Sequence, residues 1–154
     1  MIPNITWNTM LFMRAFSLCV LLALTVALAA DLPVVQPKEL VDRLAKGPRP
    51  AVFQVGPSLL YRSKHIPGAV YAGPGSRPEG LDLLKSAVEK LPHDREIVIY
   101  CGCCPWDKCP NVKPAMELLK SMGFTHVKAM QLPTSFKADW IDQGYPAEQG
   151  EAAK

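Results

Sequence analysis

The sequence past residue 36 alternates short apolar runs with segments in which apolar residues recur every three or four positions. The apolar runs have the length and composition of buried strands, and they cover 51–55, 69–72, 97–100 and 126–130. Helical spacing is found at 37–47, 81–91, 111–123 and 135–143. Strands that alternate with helices form a parallel sheet with helices on both faces. We therefore predict an α/β fold with a mainly parallel central sheet.

The first thirty residues differ in composition from the rest of the chain. They contain no Asp or Glu and one basic residue, Arg14, followed by the apolar run AFSLCVLLALTVALAA. A positive residue, an apolar core and small residues at its end are the parts of a secretory signal. We interpret residues 1–30 as a signal peptide, with Met13 as an alternative start, and residues 31–154 as one domain. An uncleaved anchor is the other interpretation, although a span needs about 20 apolar residues.

The charge balance excludes some classes of partner. The chain carries 17 Lys and Arg against 14 Asp and Glu, a net charge of +3 that falls to +2 without Arg14. A domain so close to neutral gives no electrostatic case for binding nucleic acid or acidic membranes. We predict an exported protein without membrane contact after signal cleavage, located in the periplasm if the host has an outer membrane.

Four cysteines lie within nine positions in the stretch IVIYCGCCPWDKCPN. Disulfide frameworks spread cysteines along a chain to close large loops, which this cluster does not do. Cys101 comes directly after a predicted buried strand, at the edge where parallel sheets bind ligands. The N–H groups of the following loop, and the helix that begins near Asn111, favour an anion there. The pattern therefore predicts that Cys101 is a reactive thiolate.

The loop that follows Cys101 is the predicted substrate-binding segment. Its residues are Gly102, Cys103, Cys104, Pro105, Trp106, Asp107 and Lys108. Lys108 is the cation expected to attract anions, and Arg62 and Lys64 are weaker candidates because a solvated surface position is the simpler interpretation of both. Trp106 either covers the sulfur, docks a partner or packs down to shape the loop. His65 is interpreted as structural, so no Cys–His pair is predicted.

The other three cysteines of the cluster, Cys103, Cys104 and Cys109, admit three interpretations. One of them resolves a persulfide or sulfenate on Cys101, and Cys109 suits this because its separation can fold back across a loop. The set binds a soft ion such as Cu(I) or Zn, although its spacing is not a regular zinc pattern. Alternatively, Cys103 or Cys104 forms a structural disulfide with Cys109.

Four stretches resemble, in order and spacing, the landmarks of rhodanese-like sulfurtransferase domains: HIPGAVYA, IVIYC, AMELLKSMGF and WIDQGYP. The resemblance covers residues 35–147 and implies the three-layer rhodanese-like fold. It places Cys101 at the persulfide-forming position of a thiosulfate sulfurtransferase-like enzyme. Such an enzyme takes sulfane sulfur from thiosulfate, a persulfide or a polysulfide and passes it to a thiol acceptor, in some cases a protein. The resemblance implies no cofactor, and no metal ligand is assigned.

The sequence departs from that family in three places. Gln54, Val55 and Gly56 stand where an Asp-Val-Arg-like triplet is expected. The loop is about five residues longer than usual and lacks a closing Arg, with Asn111 near its position. Thr134-Ser135 replaces a Gly-Gly pair. These departures leave open a non-enzymatic module that binds soft metal or carries sulfur, or a thiol–disulfide redox protein, on the same scaffold.

Overall fold

The structure is a computed structural model, and it describes residues 32–150. The predicted signal peptide, its alternative start and the anchor interpretation fall on residues 1–31 and lie outside the described residues. Among residues 32–150, no helix has both the length and the apolar character that crossing a membrane requires.

The centre of the fold is a parallel sheet of five strands. The strands are β1 Val34–Val35, β2 Ala51–Gln54, β3 Val70–Tyr71, β4 Ile97–Tyr100 and β5 Val127–Met130. They lie in the order β1-β5-β4-β2-β3, and every neighbouring pair is parallel. The predicted α/β class and parallel sheet are confirmed. The two-residue strand β1 was not predicted.

Helices connect the strands. The α-helices are α1 Pro37–Lys46, α2 Ser58–Ser63, α3 Pro78–Val88 and α4 Val112–Ser121. A 3₁₀ turn covers Trp106–Lys108 and a π-helical turn covers Lys137–Ile141. Helix α3 begins at Pro78, three residues earlier than predicted, because proline is favoured in the first turn of a helix. Helix α2 was not predicted, since six residues are too few to establish a helical period.

Two apolar clusters cover the two faces of the sheet. Along β4, Ile97 and Ile99 pack in the cluster that holds residues of α3 and α4. The alternate residues Val98 and Tyr100 pack in the cluster that holds Leu40 of α1 and the π-helical turn. Because successive side chains of a strand point to opposite faces, this alternation shows that β4 is buried on both sides. The predicted three-layer arrangement is confirmed.

The topology opens a crevice beside β4. Strands β2 and β4 are neighbours, but the chain leaves β2 towards β3 and leaves β4 towards β5, on opposite sides of the pair. Loops that diverge in this way create a binding site at the carboxyl ends of the two strands. Cys101 directly follows β4, and Gly56 lies two residues beyond β2.

Candidate active site

Cys101 is held against the loop that follows β2. Its side chain is buried, with 3% of the residue exposed. A Cβ atom added to Gly56 would lie 2.7 Å from the carbonyl oxygen of Cys101 and 2.8 Å from its Sγ atom. No side chain fits at so short a distance, so glycine at position 56 is what allows the close approach of the two loops.

Gln54 ties the end of β2 to the end of β4. The amide Nε2 of this buried residue donates a hydrogen bond to the carbonyl oxygen of Cys101, at 3.0 Å. Its Oε1 atom is buried and has no hydrogen-bond partner within residues 32–150. The neutral amide therefore braces the site where the family pattern has an acidic side chain.

Asn111 supplies a hydrogen-bond donor to the sulfurs. Its Nδ2 atom donates to the Sγ atom of Cys101 at 3.2 Å and lies 3.8 Å from the Sγ atom of Cys109. Its Oδ1 atom accepts a hydrogen bond from the backbone N–H of Ser76 at 3.0 Å. The residue precedes α4 as predicted, but its side chain does not cap the helix. Instead, the oxygen of the amide is bound to Ser76 and its nitrogen faces the two sulfurs.

The fold gathers the cysteines of the cluster. The Sγ atoms of Cys101, Cys103 and Cys109 all lie within 4.8 Å of one another. The Sγ atom of Cys103 is 3.2 Å from that of Cys101 and 3.1 Å from that of Cys104. All four are free thiols in the structure. Cys101 and Cys109 are buried, whereas Cys103 is exposed, so the cluster extends from the core to the surface.

The negative charge of the cluster favours Cys109 over Cys101. The neighbouring Cys109 sulfur and burial both raise the pKa of Cys101 above that of an ordinary thiol. The Cys101 thiol, helped by the backbone N–H of Asn111 and opposed by burial, lowers the pKa of Cys109 to about 5. The pair therefore shares one proton at neutral pH. That Cys101 is the reactive thiolate stays a prediction, and the structure adds a second thiol that shares its charge.

A pocket of about 380 Å³ opens in front of Cys101. Cys101 and Gly102 line it, and its walls are mainly apolar, with Leu60, Tyr100, Phe136 and Ile141. Two lysines, Lys64 and Lys137, also line the pocket. The Nζ atom of Lys137 is paired with Asp142 at 2.7 Å. The pocket thus combines an apolar wall with positive charge.

The family model for the rhodanese-like domain matches residues 36–131. The chain belongs to the rhodanese-like domain family. The crystal structure of the Alr3790 protein from Anabaena is similar to this chain, with 28% identity and a TM-score of 0.59, over 75% of this chain and 82% of the chain in that structure. No curated protein sequence matches the chain.

Two more distant rhodanese-like structures share the fold. Thiosulfate sulfurtransferase from Pseudomonas aeruginosa is 24% identical, with a TM-score of 0.58 over 79% of this chain and 20% of that one. The polysulfide-sulfur transferase homodimer from Wolinella succinogenes is 19% identical, with a TM-score of 0.56 over 90% of each chain. The two structures therefore support the same fold for this chain.

The active-site loop of this rhodanese-like domain runs away from the pocket. Gly102 lines the pocket, but residues 103–108 do not. Gly102 has φ +90°, and a Cβ atom there would lie 2.8 Å from Cβ of Phe136. This glycine lets the chain turn sharply towards Leu132, whose carbonyl oxygen accepts a hydrogen bond from the N–H of Trp106. Trp106 packs against the core, so of its three predicted roles the structure favours shaping the loop.

The charged and polar residues of the rhodanese-like site differ from those predicted. Lys108 is exposed and does not line the pocket, because the 3₁₀ turn carries it outward. The pocket lysines are Lys64, a weaker candidate from the sequence, and Lys137, which sequence reasoning missed. The donor to the sulfur is the Asn111 amide, near the expected position of the closing Arg. No sequence signal marked Lys137, since it lies in a distant segment.

His65 has the structural role that was predicted for it. The ring is buried and stacks on Tyr61, with ring centroids 3.8 Å apart. Its Nδ1 atom lies 2.7 Å from the carbonyl oxygen of Tyr61, and its Nε2 atom lies 3.2 Å from the carboxylate of Glu148. These contacts hold the HIPGA turn. Both ring nitrogens are therefore occupied by Tyr61 and Glu148 and are not available to the cysteines.

Proposed function

We propose that this chain is an exported sulfurtransferase. It moves sulfane sulfur from thiosulfate, a persulfide or a polysulfide to a thiol acceptor through a persulfide on Cys101. The observation that carries the proposal is the position of Cys101, which lies at the pocket beyond the central strand with the Asn111 amide on its sulfur. Membership of the rhodanese-like family supports the same chemistry.

The shared proton of the Cys101–Cys109 pair gives the first step. Cys101 passes its proton to Cys109, and its sulfur attacks the outer sulfur of thiosulfate. The S–S bond of thiosulfate breaks, sulfite leaves with the bonding electrons, and Cys101 carries a persulfide anion. The Asn111 amide donates to this anionic site in a buried setting, where fixed donors are most effective. An acceptor thiolate then attacks the outer sulfur and regenerates Cys101.

The pocket suits a small sulfur anion. Lys64 attracts negative charge, whereas Lys137 is paired with Asp142. The apolar wall accommodates the poorly hydrated sulfur atoms of a persulfide or polysulfide. Since Cys101 is buried, the donor and the acceptor thiol both have to reach it through this opening. A protein acceptor would therefore have to present its thiol on a narrow, protruding segment.

Intact-mass spectrometry of the purified protein before and after thiosulfate tests the sulfur transfer. We expect the reduced protein, quenched early in the reaction, to have gained about 32 Da, the mass of one sulfur atom, in a form that a thiol removes. Cys101→Ser should show no gain, whereas Lys120→Ala, at the far end of α4, should load like the wild type. Absence of any sulfur-dependent change in mass or release of sulfide, with thiosulfate and with polysulfide, would overturn the proposal.

Export is tested separately. The full chain carrying a C-terminal tag, expressed in a host with an outer membrane, should appear in the periplasmic fraction with a mass that lacks residues 1–30. Recovery at full length from the cytosol would contradict export, and recovery at full length from the membrane would favour the anchor. Neither result affects the proposed reaction.

The cysteine cluster also favours a second candidate, a module that binds a soft metal ion. Three thiols within 4.8 Å of one another, two of them buried, form a set that suits Cu(I) or Zn. Titration of the reduced protein with Cu(I) or Zn under a competing chelator should then show one tightly bound ion. Cys103→Ser would weaken the binding, and failure of the wild type to compete with the chelator would remove this candidate.

A further inference from the structure

The position of Cys109 allows it to do more than accept the proton of Cys101 in the first step. Cys109 is 5% exposed and lies at the end of the 3₁₀ turn, just before α4. Its sulfur is within 4.8 Å of the Cys101 sulfur, and the Nδ2 atom of Asn111 contacts both sulfurs. A second buried thiol is therefore already inside the site when Cys101 carries sulfur.

Cys109 is held closer to Cys101 than any thiol from solution, which favours its reaction with a persulfide there. An external acceptor has to enter the pocket, whereas the Cys109 sulfur is held beside Cys101 by the fold. Reactions between groups held close together are favoured by large effective concentrations. When no acceptor occupies the pocket, Cys109 is the buried nucleophile that remains near the Cys101 persulfide.

The chemistry of the leaving group decides which sulfur is attacked. Attack on the outer sulfur would expel Cys101 as a thiolate in a buried position, where its negative charge is poorly solvated and a thiol is a weaker acid. Attack on the inner sulfur, the Sγ atom of Cys101, expels sulfide instead. Since thiol–disulfide exchange is faster when the leaving group is the stronger acid, expulsion of sulfide is favoured.

We propose that Cys109 resolves the Cys101 persulfide, so that the protein releases sulfide and closes a Cys101–Cys109 disulfide. This inference rests on the proposed function, because it needs the persulfide. The Cys109 sulfur forms a bond to Sγ of Cys101, the S–S bond of the persulfide breaks, and the outer sulfur leaves as HS⁻ with the proton of Cys109. The outer sulfur is reduced and Cys109 is oxidised. An external dithiol then reduces the disulfide and is itself oxidised.

The local backbone allows the movement that the disulfide needs. The two sulfurs have to approach to about 2.05 Å. Cys109 lies between the 3₁₀ turn and α4, and its backbone N–H and C=O make only long hydrogen bonds, of 3.3 Å to Trp106 and 3.4 Å to Val112. The loop can therefore shift without breaking a strand or an α-helix.

Cys103 is the alternative resolving thiol, and its sulfur is nearer to Cys101, at 3.2 Å. Two observations favour Cys109. A bridge between Cys101 and Cys103 would close a ring across the single residue Gly102, and bridges forced out of their preferred geometry store strain. In addition, Cys109 is buried beside Cys101 and both sulfurs contact the Asn111 amide, whereas Cys103 is exposed.

The sequence offers a direct way to identify the bridge. Trypsin cleaves after Lys108, which separates a peptide of residues 96–108 from one of residues 109–120. A Cys101–Cys109 disulfide joins the two peptides, whereas a bridge from Cys101 to Cys103 or Cys104 stays within the first. The digest is made after the free thiols have been alkylated.

The test is a single loading with thiosulfate, without acceptor and without oxygen, on the wild type and on Cys101→Ser, Cys103→Ser and Cys109→Ser. We expect the wild type and Cys103→Ser to release about one sulfide per chain and to finish about 2 Da lighter, with the two peptides joined. Cys109→Ser, loaded to completion, should retain the gain of about 32 Da and release no sulfide. A dithiol should restore the starting mass of the wild type.

The outcomes separate the two proposals. Resolution by Cys109 is overturned if the wild type keeps the added sulfur without releasing sulfide. It is also overturned if Cys109→Ser fails to load, or releases sulfide like the wild type. If Cys103→Ser releases no sulfide while Cys109→Ser releases it normally, Cys103 is the resolving thiol. That result also overturns resolution by Cys109. If Cys109→Ser retains no sulfur and the wild type neither loads nor releases sulfide, the sulfurtransferase proposal itself fails.

Discussion

The amide nitrogen of Asn111 lies 3.2 Å from the Sγ atom of Cys101 and donates a hydrogen bond to it, although ten residues separate the two in sequence. The same side chain accepts a hydrogen bond from the backbone N–H of Ser76 through Oδ1. Asn111 therefore connects the start of α4, the loop before α3 and the Cys101 sulfur. It does so with a neutral group, near the position at which the family pattern has an arginine.

Asn111→Asp separates the chemical role of this residue from its structural one. Aspartate keeps an oxygen for the N–H of Ser76 but loses the donor to sulfur and adds a negative charge beside it. A hydrogen bond to a charged group contributes about 1.5–3 kcal/mol, so we expect sulfur loading to slow about 10- to 100-fold. The measurement is the initial rate of mass gain with thiosulfate.

Asn111→Leu is the companion variant, since it loses both contacts. It should slow loading similarly but also lower the melting temperature more than Asn111→Asp does, because the N–H of Ser76 loses its partner. Equal loading rates in the wild type and Asn111→Asp would show that the amide does not stabilise the sulfur.

Gly56→Ala should disable the site by displacing Cys101. The added Cβ atom would lie 2.7 Å from the carbonyl oxygen of Cys101 and 2.8 Å from its sulfur, closer than such atoms approach. The two loops therefore have to move apart, and forced packing of this kind costs about 1–3 kcal/mol. We expect a lower free energy of unfolding, measured in urea, together with a large loss of sulfur loading.

Gly47→Ala is the matched control for this substitution. No atom lies within 4 Å of a Cβ built on Gly47, and its backbone is extended, so alanine fits there. The control should keep both loading and stability. Normal loading in Gly56→Ala would show that the close approach of the two loops is not needed.

The sequence predicted the central elements of the fold well and the details of the site less well. Strand β4, four apolar residues in a row, and helix α4, with a clear apolar stripe, depend on local pattern and were found within two residues. The contact of Asn111 with Cys101 depends on the path of the long loop, which no local pattern fixes. Lys137 reaches the pocket through tertiary packing, and short α2 has too few residues to show a period.

The proximity of Cys109 predicts an unusual pH dependence for sulfur loading. The pair carries one negative charge as long as Cys109, whose pKa is lowered to about 5, remains ionised. The loading rate should therefore stay constant as the pH falls from about 8 to 6 and decline only as it passes through about 5, whereas an isolated thiol titrates at about 8.5. Rates of mass gain from quenched samples across this range provide the measurement.

Cys109→Ser gives the comparison for the pH profile. Without the second sulfur, Cys101 is a single buried thiol, and burial raises the pKa of that group. The decline in loading rate should then occur at a pH above neutrality. A wild-type profile that already declines between pH 9 and 8, as an isolated thiol would, contradicts the sharing of a proton between the two cysteines.

Lys64 and Lys108 offer a test of where the donor anion binds. Lys64 lines the pocket in front of Cys101, whereas Lys108 lies on the exposed part of the loop. An exposed charge contributes up to about 1 kcal/mol, so Lys64→Ala should raise the KM for thiosulfate about two- to five-fold with little change in kcat. The effect should shrink at high salt, because screening weakens interactions between exposed charges. Lys108→Ala should change KM less, and a larger effect in Lys108→Ala than in Lys64→Ala would place the anion against the loop instead of in the pocket.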